Sequence, residues 1–191
     1  MDNWREDVWR SVPEGAAPER FAARRAFLLG QVAPGDRVLD LGCGDGAFAA
    51  VTAGAGAIVT MADVAREALR RARERVPGAE AVALDEGAGL PFAEDAFDLV
   101  WAGEVLEHVA DVVGLLADVR RVLRWGGTLV ATTPWHPRVI AGTDRHFDPR
   151  ADHLRFFSAR TLRGIVADAG FAEVDVRATG VRPRALHVLA R

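Results

Sequence analysis

At 191 residues, half of them hydrophobic, the chain has the length of one domain and enough apolar side chains to bury a sizeable core. A net charge of -3 and a pI near 6.0 argue against a general electrostatic grip on nucleic acid, which needs a clustered basic face, and so against long polyanionic substrates. All 24 basic residues are arginine and tyrosine is absent, a skew expected of GC-rich bacterial coding rather than of any chemistry.

The chain opens on MDNWREDVWR, charged where a secretion signal would need an apolar stretch of about 7 to 15 residues. No run approaches the roughly 20 apolar residues that cross a bilayer, and a single cysteine, Cys43, can form no internal disulfide. A cytoplasmic protein with no membrane partner is expected. Short apolar runs alternate with segments of helical period, the pattern of strands and crossover helices in a largely parallel sheet. In chain order, a helix over 17–31 precedes the first strand at 37–41. Strands follow at 57–62, 79–84, 97–102, 128–133, 172–177 and 185–190, with helices at 47–53, 64–76, 109–124 and 158–169 between them. Gly126-Gly127 is expected to close the long helix, Ser158 to cap the last one and Gly170 to end it. The whole chain, 1–191, reads as a single domain with a helical cap over 1–33. Residues 134–157 hold three prolines and little periodicity and read as an inserted loop on the substrate side.

The first strand runs into Asp40-Leu41-Gly42-Cys43-Gly44-Asp45-Gly46 and then a helix. Glycines there let the backbone turn sharply and let a ligand approach where a Cβ would collide, so the turn is a nucleotide-cofactor loop. Asp63, at the end of the second strand, is placed to accept hydrogen bonds from ribose hydroxyls. A pyrophosphate would favour bare amides at the helix start, whereas Asp40 and Asp45 flank this one; a sulfonium and an ammonium suit them better. The glycines also run G-x-G-x-G, without the extra residue of the dinucleotide pattern G-x-G-x-x-G. Cys43 has no activating neighbour and reads as a small buried residue.

VLDLGCGDGAFA, then Asp63, then LPFAEDAFDLVWAGEVLEHV and VLRWGGTLVATTP, together resemble the class I S-adenosylmethionine-dependent methyltransferases, and within them the small-molecule subgroup that includes the ubiquinone-biosynthesis O-methyltransferases. The resemblance runs from about residue 37 to residue 176. It implies a Rossmann-like, seven-stranded, mostly parallel sheet with helices on both faces and one antiparallel strand near the C-terminus. It also implies S-adenosyl-L-methionine as cofactor, with S-adenosyl-L-homocysteine as product. On that likeness Gly42, Gly44 and Gly46 line the methionine and ribose portion, Asp40 sits near the ammonium group and Asp63 holds the ribose. Asp85 or Glu86 meets the adenine amino group, and Glu104 lies where cofactor and substrate join. Trp125 departs from the pattern, which has proline before Gly-Gly.

Transfer to a hydroxyl needs a base with a pKa near neutrality, and histidine is suited to it. His108, in Leu106-Glu107-His108, is the first candidate, and His136, after Thr133-Pro134-Trp135, the second; His146 and His153 remain open and His187, in the last strand, is set aside. The run from Asp144 to His153 is rich in metal-ligand residue types. Its spacing matches no metal signature, and neighbouring Arg145, Arg150 and Arg155 supply plainer partners, so no metal is expected. Phe156-Phe157 and Trp135 are expected to roof the acceptor pocket, and Trp9 and Trp4 to cover its mouth. Base methylation is disfavoured because Ala102-Gly103-Glu104-Val105 replaces the Asn/Asp-Pro-Pro-aromatic tetrad of nucleic-acid amino-methylases. The expected partner is a small-molecule acceptor, in a monomer or homodimer. A nicotinamide-dependent oxidoreductase and a non-catalytic S-adenosylmethionine-binding protein are the rival readings.

Overall fold

Apolar residues on successive positions of the middle strands serve opposite faces of one sheet, which is why these strands read as continuous hydrophobic runs. The computed structural model describes residues 4–135, 153–179 and 185–191. Among them, seven strands form one sheet in the order β3-β2-β1-β4-β5-β7-β6. The strands are β1 (Arg37–Leu41), β2 (Ile58–Asp63), β3 (Glu80–Ala83), β4 (Phe97–Gly103), β5 (Leu123–Pro134), β6 (Val174–Thr179) and β7 (Ala185–Ala190). Only β7 runs against its neighbours, pairing antiparallel with both β5 and β6. The Rossmann-like sheet expected from the sequence is thus present.

The helices are α1 (Trp4–Ser11), α2 (Phe21–Leu29), α3 (Ala47–Gly54), α4 (Arg66–Arg75), α5 (Val112–Val122) and α6 (Ala159–Asp168), with a 3-10 turn at Leu106–His108. Leu39, Leu41, Val100, Ala102, Leu129 and Ala131 face one layer, where they meet Leu116 and Val119 of α5 and Leu162 and Val166 of α6. Val38, Leu99, Trp101 and Val130 face the other and meet Leu28 of α2 and Phe48 of α3. A third cluster joins Val59 and Met61 of β2 to Leu69 and Ala72 of α4.

Two ends differ from the sequence reading. The long helix begins at Val112, because the Asp111 carboxylate accepts from the Gly114 amide at 2.9 Å and caps it there. It stops at Val122, since Leu123 is buried and already pairs with Phe97 in the sheet. Gly126 and Gly127 therefore close no helix. They lie where the β4–β5 register jumps from Phe97/Leu123 to Leu99/Thr128, with Gly126 at φ +74° and Trp125 turned out to solvent. Ser158 does cap α6, accepting from the Thr161 amide at 3.0 Å, and Gly170 follows its end at φ +96°. No helix among the described residues is long and apolar enough to cross a membrane.

Candidate active site

The strand order reverses between β1 and β4, and in doubly wound sheets ligands bind outside the carboxyl ends of the strands at that point. A cavity of about 660 Å³ stands there, inside the usual range for small-molecule sites. Its walls come from the turns after β1, β2 and β4, from α1 and α2, and from the segment around Asp85.

The glycine turn forms one wall. Gly42, Gly44 and Gly46 all have positive φ, at +67°, +54° and +78°. A Cβ on Gly42 would stand 2.5 Å from Val105, and one on Gly44 2.6 Å from the Trp9 ring of α1. Gly46 does not reach the cavity: it faces Ala72 of α4, where a Cβ would meet backbone at 3.1 Å, so it serves the packing of α3 on α4. Asp63 lines the cavity with both oxygens engaged, one accepting from the Gly44 amide and the other from the Ala65 amide, each at 2.9 Å. It therefore fixes the glycine turn, and each oxygen keeps a further lone pair.

Asp40 is only 2% exposed and lies behind the turn, off the cavity wall, so it is not placed for the direct contact with an ammonium group that the resemblance implied. Burial, reinforced by Asp63, pushes its pKa up to about 7. Asp45 lines the cavity but pairs with Arg75 at 2.7 Å, which blunts its repulsion of phosphate. Cys43 is buried, and burial pushes its thiol pKa well up, in keeping with packing.

At the end of the cavity formed by the segment around Asp85, Glu86 is ion-paired to Arg5, while the Asp85 carboxylate has no hydrogen bond or ion pair among the described residues. At the opposite end Glu104 holds φ +61°, an uncommon conformation for a non-glycine residue, and one buried carboxylate oxygen without a partner. His108 lines the same end, and its backbone carbonyl accepts from Arg5 at 3.1 Å. Beneath it Glu107 is 1% exposed; burial and then the charge of Glu104 push its pKa up to about 8. His136 lies outside the described residues.

Two expectations about the roof change. Phe157 is a core residue packed with α6, and Trp135 packs against that same core; neither lines the cavity, because apolar surface on this segment is covered by the sheet and α6. The cover comes from α1 instead, through Trp9. Residues not singled out by sequence also enter the site. Arg24 of α2 is 6% exposed, with its guanidinium 4.7 Å above the Phe48 ring and 5.7 Å from that of Trp101. Burial lowers its pKa, while Glu104, Glu107 and Asp40 offset this. Its position between Phe21 and Leu28 on an otherwise apolar helical stripe was the available signal.

Among the described residues the cavity wall carries seven carboxylates against two guanidiniums, those of Arg5 and Arg24. Such a lining suits a cationic ligand and opposes a pyrophosphate, which is the test the donor set offers for a sulfonium cofactor.

Residues 39–131 match the family described as methyltransferase domain. The chain is 30% identical to an S-adenosylmethionine-dependent methyltransferase from Mesorhizobium loti, whose crystal structure superimposes with a TM-score of 0.74 over 93% of this chain and 99% of that one. The chain belongs to the S-adenosylmethionine-dependent methyltransferases. A probable methyltransferase of this kind from Mycobacterium tuberculosis is 29% identical over 86% of this chain, and the demethylmenaquinone methyltransferase of Tropheryma whipplei is 37% identical over 60% of it. This chain spans 60% and 48% of those two proteins' lengths. The cofactor that this methyltransferase family uses is S-adenosylmethionine.

Proposed function

We propose that the chain transfers a methyl group from S-adenosylmethionine to an oxygen of a small-molecule acceptor. One observation carries the reading. A single acid-lined cavity has the glycine turn and Asp63 on one side and Glu104 and His108 on the other, so a donor end and an acceptor end share one space. Asp63 has lone pairs left for ribose hydroxyls, and Asp85, being unengaged where Glu86 is held by Arg5, is the residue for the adenine amino group. Gly42 and Gly44, on the cavity wall with Val105 and Trp9 packed against them, shape the turn that receives the methionine arm. The carboxylates of the cavity wall supply negative potential to the cationic centre.

When bound, the cofactor would supply an electrophilic methyl group to the acceptor oxygen, with its sulfur as the leaving group. The chain's own task is alignment, exclusion of water and removal of one proton from the acceptor. His108, at the acceptor end, is the group toward which that proton leaves, and α1 covers the cavity from solvent.

Calorimetric titration with S-adenosylhomocysteine, with NADH alongside, tests the cofactor reading. Micromolar binding of the first and none of the second is expected; the reverse would make the chain a nicotinamide protein. His108→Ala should lower turnover by roughly 10²- to 10⁴-fold with a phenolic, sugar or carboxylate acceptor while leaving S-adenosylhomocysteine affinity within a factor of two or so. A fully active variant would remove His108 from the chemistry.

A further inference from the structure

A carboxylate buried without a full set of partners costs free energy that something must offset. Glu107 is such a group. It is 1% exposed; its Oε2 accepts from the Thr133 hydroxyl at 3.0 Å, but its Oε1 is buried with no hydrogen bond. That orphan oxygen stands 3.9 Å from His108 Nε2. The ring of His153 lies edge-on to that of His108, with centroids 4.9 Å apart, and one ligand atom from each of Glu107, His108 and His153 falls within 4.8 Å of the others.

The third residue is held in place. The Leu154 and Arg155 amides both donate to the Glu107 carbonyl, at 2.8 and 3.2 Å, and the Arg155 guanidinium reaches the carbonyls of Val109 and Ala110. The segment that carries His153 is thereby tied to the 3-10 turn that carries the other two residues.

We infer that Glu107, His108 and His153 form a binding site for a divalent transition-metal cation beside the acceptor end of the cavity, whose wall includes His108. Two imidazoles and a carboxylate suit zinc, cobalt, iron or manganese better than calcium or magnesium, which favour all-oxygen shells. Ligand atoms around a tetrahedral zinc are about 3.4 Å apart, so the cluster closes by little more than an ångström, within reach of imidazole rotation. Three protein ligands leave a coordination position open. In its use the site rests on the methyl-transfer reading: the base role given to His108 above holds for the ion-free chain, and a bound cation, which occupies that imidazole, would act instead by lowering the pKa of an acceptor oxygen that reaches it past His108, the proton going to solvent.

The spacing along the chain is silent on this site because His153 reaches it from a distant loop. The test uses the whole chain, stripped with a chelator and titrated with Zn²⁺ by calorimetry and with Co²⁺ by visible absorption. One ion per chain and cobalt d–d bands of a four- or five-coordinate nitrogen–oxygen site are expected, with His153→Ala weakening both ions by more than about tenfold. His153 is partly exposed, so that variant should fold even if Glu107→Gln does not. Absence of saturable binding, or binding indifferent to His153→Ala, would overturn the site. S-adenosylhomocysteine titrated into the same samples separates the readings: its binding without the ion leaves methyl transfer and removes the metal, and ion binding without it does the reverse.

Discussion

Charged side chains that the fold keeps from water cluster around Arg24, whose guanidinium is attracted at once by Asp40, Glu104 and Glu107. Asp40 shows the consequence most simply. Its pKa of about 7 lies above the ordinary value of 3.8, so the folded chain holds a proton that the unfolded chain has lost by neutral pH. A carboxyl raised in this way contributes stability at low pH that disappears as pH climbs through its folded pKa. Between pH 6.5 and 8 the chain should lose on the order of 1 kcal/mol from this group, read as a falling denaturant midpoint. Glu107, at about 8, acts in the same direction. Glu67, whose pKa is already low, is ionised throughout this interval and adds nothing. Asp40→Asn should flatten the profile; an equally steep profile in that variant would place the titration elsewhere.

Helix α1 is bound to the rest of the chain at both of its faces that matter for the site. Glu6 accepts from the amides of Arg66 at 2.6 Å and Glu67 at 3.0 Å, capping α4 from sixty residues away, where Ala65 has no side-chain cap to give. Arg5 pairs with Glu86 and reaches the His108 carbonyl, Arg71 donates to the Val12 carbonyl at 2.8 Å, and Trp9 rests on Gly44. The cover of the cavity and the start of α4 are thus one structure. Glu6→Ala should cost about 1 kcal/mol, as other cap losses do, and should speed amide exchange over Trp4–Ser11. Unchanged exchange there would show that the cap does not hold the cover down.

Across the whole molecule, the cavity collects walls from both layers of helices and from three strand ends, so a ligand in it stabilises all of them together. Linkage sets the size of the effect: S-adenosylhomocysteine at a hundred times its dissociation constant should add about 2.7 kcal/mol. For a chain of this length that is a rise in Tm of roughly 5 to 10 °C. NADH at the same concentration should leave Tm where it was, and a flat response to S-adenosylhomocysteine would deny that the cavity is the cofactor site.

The order of strands and helices, the glycine turn, Asp63 at the end of β2 and the Leu-Glu-His segment after β4 follow from the sequence, because hydrophobic period and turn chemistry are local. Even there, boundaries moved where a competing contact was stronger: Leu123 entered the sheet and left Gly126-Gly127 at a bulge. What needed the tertiary structure is everything assembled from distant segments. Only folding sets Arg24 among three acids, puts Gly46 and Asp40 behind the turn rather than on the cavity wall, gives Glu6 to α4 as a cap, and brings His153 to Glu107 and His108. Those relations depend on which faces the sheet order brings together, and no period along the chain encodes a contact between residues that the crossovers keep far apart.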